Sequence, residues 1–229
     1  MKFEPKALLL ELLNSAIDAA HPSKILANHL PHNTKQRAVV IGAGKAAAAM
    51  ACELEKHWQG PISGLVVTPY GHSKKTRYIE VVEAAHPVPD KTGLEAAQRI
   101  LNLVSNLSSD DLVIFLVSGG GSSLLSLPAP SIRFSDKQTI NKALLACGAA
   151  INEINCVRKH LSAIKGGRLA KACYPATVHT YAISDVPGND ISVIASGPTV
   201  GDSSTSAQAL AILNKYDIHV HDNVIKWLE

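Results

Sequence analysis

What the sequence withholds narrows its class before any motif is read. No stretch approaches the roughly 18 consecutive apolar residues of a membrane span. The opening segment MKFEPKALLLELLNSAIDAA scatters Glu4, Lys6, Glu11 and Asp18 among its leucines, so a secretory signal peptide is not expected. Cysteine is sparse: Cys52, Cys147, Cys156 and Cys173 lie far apart and form no CxxC pair, and they read as reduced, mostly buried thiols of a cytoplasmic protein. Charge is thin at 18% of residues, and 22 basic against 19 acidic side chains leave a net +3 with no basic block. That gives no electrostatic case for nucleic acid or an anionic membrane as partner. A GxxxxGK[ST] phosphate loop is absent, as are internal repeats and low-complexity segments. The 229 residues are enough to bury a full core.

What is present is organised around Asp110–Leu125, DDLVIFLVSGGGSSLL. Leu112–Val117 is an unbroken apolar run of the kind that fills a parallel strand buried on both faces. It feeds directly into Ser118, Gly119, Gly120, Gly121, Ser122 and Ser123. Glycines let a backbone approach a ligand, and exposed amides with serine hydroxyls make an anion nest. The bland alternative is a flexible surface turn; a ligand loop is the expectation, because ligands of open α/β sheets sit at strand carboxyl ends.

The rest of the chain alternates strand and helix. Pro5–Ala20 carries helical spacing, and the polar segment through Lys35 reads as a short helix and a loop. Ala38–Ile41 is a strand that enters Gly42-Ala43-Gly44-Lys45 and then a helix, an arrangement that turns helix amides toward an anion. Gly42-x-Gly44-x-x-Ala47 also fits the dinucleotide fingerprint, but the next strand, Gly64–Thr68, ends in Thr where a ribose-binding carboxylate would stand. A tight turn with a solvated lysine explains the same spelling. Tyr78–Ala84 is a third strand leading into Ala85-His86-Pro87-Val88-Pro89-Asp90, a stiff loop whose histidine is structural or ligand-binding, followed by an amphipathic helix over Lys91–Leu107. Helices are expected over Ser135–Cys147, Ala150–Leu161 and Gly166–Ala172. In this region Glu153, Arg158, His160 and Lys165 are either a solvated ion-paired face or, with Lys159, a cationic patch for an acidic ligand. Thr177–Ile183 is the last strand, and Asp185 and Asp190 follow its end, where an acidic residue can bind a metal or act as a base. Asp202 reads as the N-cap of a helix ending at Lys215. The closing HVHDNVIKWLE reads as the beginning of further material. The pattern is α/β with a mostly parallel sheet.

GAGKAAAAM, EAAHPVPD, SGGGSSLL, NEINCVRKHLSAIKGGRLA and SDVPGNDISVIASGPT, in this order, resemble the N-terminal domain of the MOFRL-type glycerate 2-kinases, some of which carry the label hydroxypyruvate reductase. The resemblance spans nearly the whole chain, residues 1–229. It implies a Rossmann-like three-layer domain, ATP and Mg²⁺ as cofactors, D-glycerate as the small-molecule acceptor, and a cleft shared with a C-terminal domain that this chain does not include. Ala85 stands where the family usually has Gly.

On this resemblance Lys45 matches a lysine implicated in the family's active site and would neutralise a phosphoryl group or the glycerate carboxylate. Gly42, Gly44 and the run from Ser118 to Ser123 would hold nucleotide phosphates. Asp185, with Asp190 as second choice, would orient Mg²⁺ or take the acceptor's proton. Arg158, Lys165 and His86 would bind substrate. An NAD(P)H-dependent hydroxypyruvate reductase and a non-catalytic nucleotide-binding fragment are the competing readings, and homo-oligomerisation stays open.

Overall fold

In the computed structural model, which describes residues 4–31 and 35–229, the apolar runs become a single parallel sheet. Its strands are β1 (Ala38–Ala43), β2 (Ile62–Pro69), β3 (Ile79–Ala84), β4 (Leu112–Ser118) and β5 (Thr177–Ile183). They lie in the order β3-β2-β1-β4-β5, and every pairing is parallel. Every strand expected from the sequence forms.

The helices are α1 (Pro5–Ala20), α2 (Pro22–Ile25), α3 (Ala47–His57), α4 (Lys91–Val104), α5 (Gly121–Leu124), α6 (Phe134–Ala146), α7 (Ile151–His160), α8 (Arg168–Cys173), α9 (Ser206–Lys215) and α10 (Asp222–Leu228). The expectation of a short helix and a loop through Lys35 is met by α2 as far as the described residues reach; 32–34 lie outside them.

Side-chain alternation along the central strands divides the core. Val39, Ile41, Val113, Phe115 and Val117 face α4, α5 and α8, whereas Val40, Ile114 and Leu116 face α3. Both faces of β1 and β4 are therefore covered, which is why these strands lack polar alternation. Phe115 is fully buried, and removing a side chain of that size from water is worth about 3 kcal/mol. A third apolar cluster joins α6, α7, α9 and α10 beside the sheet, with Leu144, Val157, Leu213 and Leu228 at its centre. By contrast, α1 buries none of its residues and leaves Leu9, Leu12, Leu13 and Ile17 exposed.

Some expectations shift. α4 stops at Val104, short of Leu107, because Asn106 adopts a left-handed conformation (φ 71°) that a helix cannot continue through. The cap of α9 is Thr205, whose side chain accepts from Gln208 N while Gln208 reaches back, and not Asp202. The final segment is a docked helix, with Val224 and Leu228 buried and the Trp227 indole donating to His160 O at 2.8 Å.

The strand order reverses between β1 and β4: the chain leaves β1 toward β2 and β3, and leaves β4 toward β5. Crossovers in opposite directions open a crevice at the carboxyl edge, and this is where ligands of such sheets bind.

Candidate active site

Four chain segments meet at that edge. The first is the turn Gly42–Lys45. Gly42 is wedged in the sheet, where a Cβ would strike Leu116 O and press Val66 at 3.1 Å. Gly44 (φ 139°) is packed against Ser118 with no room for a side chain. The amides here are already committed: Gly44 N–H donates to Val67 O (3.0 Å), Lys45 N–H to Gly119 O (2.9 Å) and Ala47 N–H to Gly44 O (3.1 Å). Ala46 N–H donates to Ser118 Oγ at 2.9 Å, and Thr68 Oγ1 donates to Gly44 O at 3.1 Å. The expectation that Gly42 and Gly44 present amides to a phosphate is therefore corrected. They are a knot that ties the end of β1 to β2 and β4, and what the turn offers a ligand is the exposed side chain of Lys45.

The second segment is the loop Ser118–Ser123. Gly120 sits at φ 89° as the residue before α5, a left-handed position that favours glycine. The amides of Gly119 and Gly120 enter none of the turn bonds that occupy the neighbouring knot. Ser118 is spent on that knot, Ser122 Oγ pairs with Ser196 Oγ at 2.9 Å, and Ser123 Oγ donates to Gly120 O at 3.0 Å. Gly121 is buried between Ala43 O and Ala195.

The remaining two segments flank this loop. A Cβ on Gly120 would lie 2.9 Å from His86 Nε2, and one on Gly119 would lie 2.5 Å from Asp185 Oδ2. His86, on the loop after β3, is half-buried; desolvation first, then the positive charges of Lys45 and His72, hold it below the ordinary histidine range. Asp185, after β5, is exposed. The structure thus brings together Lys45, His86, Gly119, Gly120 and Asp185. Asp190 accepts from Ser192 N–H at 2.8 Å, and the Ser192 hydrogen bonds lower its carboxyl.

Next to the loop, between α6 and α7, lies a cavity of about 280 Å³ whose lining includes His86, Gly120, Ser122, Ser123, Arg158 and Lys165. Of the two readings of this polar region, the solvated face is not found: Lys165 and His160 are buried and Arg158 is largely so. Only Glu153 makes a surface arrangement, accepting from Lys215 Nζ (2.7 Å) and Tyr216 Oη (2.6 Å), which hold its carboxyl down to about 2. Lys165 does more than wait for substrate. Its Nζ donates to Ser122 O at 2.7 Å and Leu125 O at 2.9 Å, tying the carboxyl end of α5 to the segment after α7, while burial first, then the charges of Lys137 and Arg158, push its basicity well below the ordinary lysine range. Arg158 Nε donates to Asn141 Oδ1 at 2.7 Å.

Lys159 belongs elsewhere. It pairs with Asp202 at 3.2 Å, on the α7 side of the loop before α9. Burial alone would raise the Asp202 carboxyl, yet hydrogen bonds from Ser204 and Lys159 hold it below the usual range. Sequence reasoning missed Lys137, Gln138 and Asn141 of α6, all of which line the cavity. The available signal was slight: Lys137 and Asn141 stand four apart on one helical face.

As a place for Mg²⁺, the edge offers Asp185 beside the glycine loop; among the described residues no three His, Cys, Asp or Glu side chains gather into a cation cage. This suits a cation that is held by one carboxylate and by the phosphates of its own substrate.

A glycine loop, an exposed lysine and a carboxylate thus stand together at the switch point of a parallel α/β sheet. The chain belongs to the family described as "Domain of unknown function (DUF4147)", which it matches over residues 8–229. It is 43% identical over 227 residues to the "D-glycerate 2-kinase" of Thermotoga maritima, covering 97% of this chain and 54% of that protein. It is 49% identical to a "Putative hydroxypyruvate reductase" of Agrobacterium vitis, covering 95% of this chain and 50% of that one. The crystal structure of a glycerate kinase from Thermotoga maritima superposes with a TM-score of 0.92 at 43% identity, again over 97% of this chain and 54% of its own. The chain spans about half the length of the curated relatives it matches.

Proposed function

We propose that this chain is the part of a glycerate 2-kinase that carries the phosphate loop and the acceptor site, and that the protein transfers the γ-phosphoryl group of ATP to a hydroxyl of D-glycerate. The observation that carries this reading is the convergence of Lys45, Gly119, Gly120, His86 and Asp185 on one edge of the sheet, in a chain 43% identical to a D-glycerate 2-kinase.

Phosphoryl transfer asks a protein for charge neutralisation and alignment more than for covalent chemistry. The free amides of Gly119 and Gly120 cradle phosphate oxygens, and Lys45 supplies positive charge where the transferring group passes. Asp185 is the residue that would hold Mg²⁺, which when bound neutralises charge on the phosphate oxygens. His86, neutral near pH 7 because its basicity is depressed, accepts a hydrogen bond from the acceptor hydroxyl. We place the protein in the cytoplasm, where its free cysteines stay reduced; no helix among the described residues is long and apolar enough to cross a membrane.

The reductase reading is weakened by two observations. The turn that would approach a dinucleotide has spent its amides on β2, on Ser118 at the end of β4 and on Gly119 beyond it. Thr68, where a ribose carboxylate would stand, is buried and donates to Gly44 O. The complete protein, given D-glycerate with Mg-ATP and separately hydroxypyruvate with NADH, is expected to form phosphoglycerate and to leave NADH unoxidised. Lys45→Ala is expected to lower kcat by at least 100-fold with intact folding. NADH oxidation without phosphoglycerate would replace this reading with the reductase. Mg-ATP binding with neither turnover would reduce it to a non-catalytic binding module.

A further inference from the structure

The cavity beside the glycine loop carries an electrostatic imbalance. Three basic side chains line it, Lys137 from α6, Arg158 from α7 and Lys165 from the segment after α7, and no carboxylate does. Lys137 and Arg158 have donors to spare, whereas Lys165, whose basicity burial pushes well below the ordinary lysine range, spends its donors on the glycine loop. Lys137 Nζ commits one hydrogen bond, to Leu127 O at 3.1 Å; Arg158 commits its Nε alone, to Asn141; Lys165 commits two. An ammonium has three N–H groups and a guanidinium five. Desolvated cations that face one another with unspent donors are stable chiefly when an anion joins them. The opposite wall is apolar, formed by Ile140, Leu144, Val157 and Leu161, while Ser122, Ser123 and Gly120 edge the side toward the phosphate loop.

We infer that this cavity is an anion subsite that takes the carboxylate end of a short-chain hydroxy acid, with Lys137 and Arg158 as its counter-charges. The proposal deepens the kinase reading, on which it rests for the identity of the acid. Size decides between acid and nucleotide. At about 280 Å³ the cavity falls at the small end of ligand pockets, roughly 300–1,000 Å³, enough for a three- or four-carbon acid and too little for a nucleoside triphosphate. An acid seated with its carboxylate among the cations extends its hydroxyl end toward Gly120 and His86, where the transferring phosphoryl would lie.

Entry of the anion should draw in a proton. Burial, with the charge of Arg158 added, brings Lys137 down to about 7. The titratable groups around it are Arg158 from α7, Lys165 from the following segment, whose basicity burial also depresses, and His86, which lines the same cavity. Its chain neighbour Asp136 is engaged by Arg133 and Asn223. A carboxylate beside Lys137 restores the ammonium, so binding at pH 7 takes up about half a proton.

The test is calorimetric titration of D-glycerate, and separately of ADP, into this chain and its Lys137→Met and Arg158→Gln variants, at pH 7 in two buffers of different ionisation enthalpy. Each variant is expected to weaken D-glycerate at least tenfold and to change ADP affinity less than twofold. Proton uptake should accompany D-glycerate in the native protein and vanish in Lys137→Met. The proposal is overturned if native protein binds no D-glycerate, if the variants bind it normally, or if they lose ADP as strongly. Phosphoglycerate formation by the complete protein distinguishes the two failures: if it persists, the subsite alone is wrong.

Discussion

Replacing Lys137 by Met should stabilise the unliganded protein, and by an amount that depends on pH. The Lys137 side chain is buried, and its folded-state basicity falls from 10.5 to about 7. Methionine keeps the length and apolar stem of lysine and removes the ammonium. The hydrogen bond it forfeits leaves nothing unpaired, because Leu127 O still accepts from Ser162 Oγ at 3.1 Å and Ala163 N–H at 3.2 Å. The sign follows from linkage. Below pH 7 lysine is protonated in both states and the folded chain carries the full cost of a buried charge. Between pH 7 and 10.5 the unfolded chain holds more proton, so the stability of the native protein rises with pH. Each pH unit in that window is worth about 1.4 kcal/mol. The advantage of the variant should therefore be greatest near pH 6.5 and shrink by about 2.5 kcal/mol by pH 9. Urea denaturation of both proteins at the two pH values measures the difference directly, and thiol titrations shared by the two proteins cancel. A variant that is less stable at pH 6.5, or a difference that does not change with pH, would refute the reasoning that the ammonium is desolvated and uncompensated.

Other substitutions probe neighbouring features. Gly120→Ala forces a left-handed alanine whose Cβ meets His86 Nε2 at 2.9 Å, and should cost about 1–2 kcal/mol while depressing turnover far more than stability, read by thermal unfolding alongside kcat. Lys165→Met strips the donors from Ser122 O and Leu125 O; increased amide exchange confined to residues 119–126 is the expected signature, and unchanged exchange would mean that α5 holds itself. Asp202→Ala leaves Lys159 buried without its carboxylate and should destabilise by about 3 kcal/mol at pH 7. That loss should disappear in acid, since a carboxylate with a lowered folded-state value contributes stability only above the pH at which it protonates. Thr205→Ala removes half of a capping box and should cost about 1 kcal/mol in denaturant unfolding.

The architecture was legible because its signals are local. Leu112–Val117 could only be a doubly covered strand, and the packing of Phe115 on one face and Leu116 on the other bears this out. The position of Asp185 and His86 at the carboxyl edge was legible for the same reason: each follows on a readable strand end. Two kinds of information were hidden. The turn Gly42–Lys45 has the spelling of a phosphate-binding loop, but whether its amides are free depends on Ser118 and Gly119, more than 70 positions away. Burial of lysine was equally invisible. Lys137 sits in an ordinary helical pattern, and only the approach of α7 and of the loop after β4 makes it a desolvated cation. The mistaken cap at Asp202 is different, since Thr205-x-x-Gln208 could have been read from the sequence as the capping box.

The contact between Gly44 and Ser118 carries an evolutionary consequence. The two residues lie 74 positions apart in the chain, yet the backbone of one occupies the only space into which the side chain of the other could grow, and Ser118 Oγ also receives the amide of Ala46. Neither position can drift alone. A side chain at 44 would strike the backbone O and N of residue 118 as well as its hydroxyl, so no exchange at 118 makes room for it, and loss of the hydroxyl alone would cut the tether between the lysine turn and the glycine loop. Descendants of this sequence are thus confined to variation around the pair, in the stems and walls that surround it, while the pair itself is inherited as a single character.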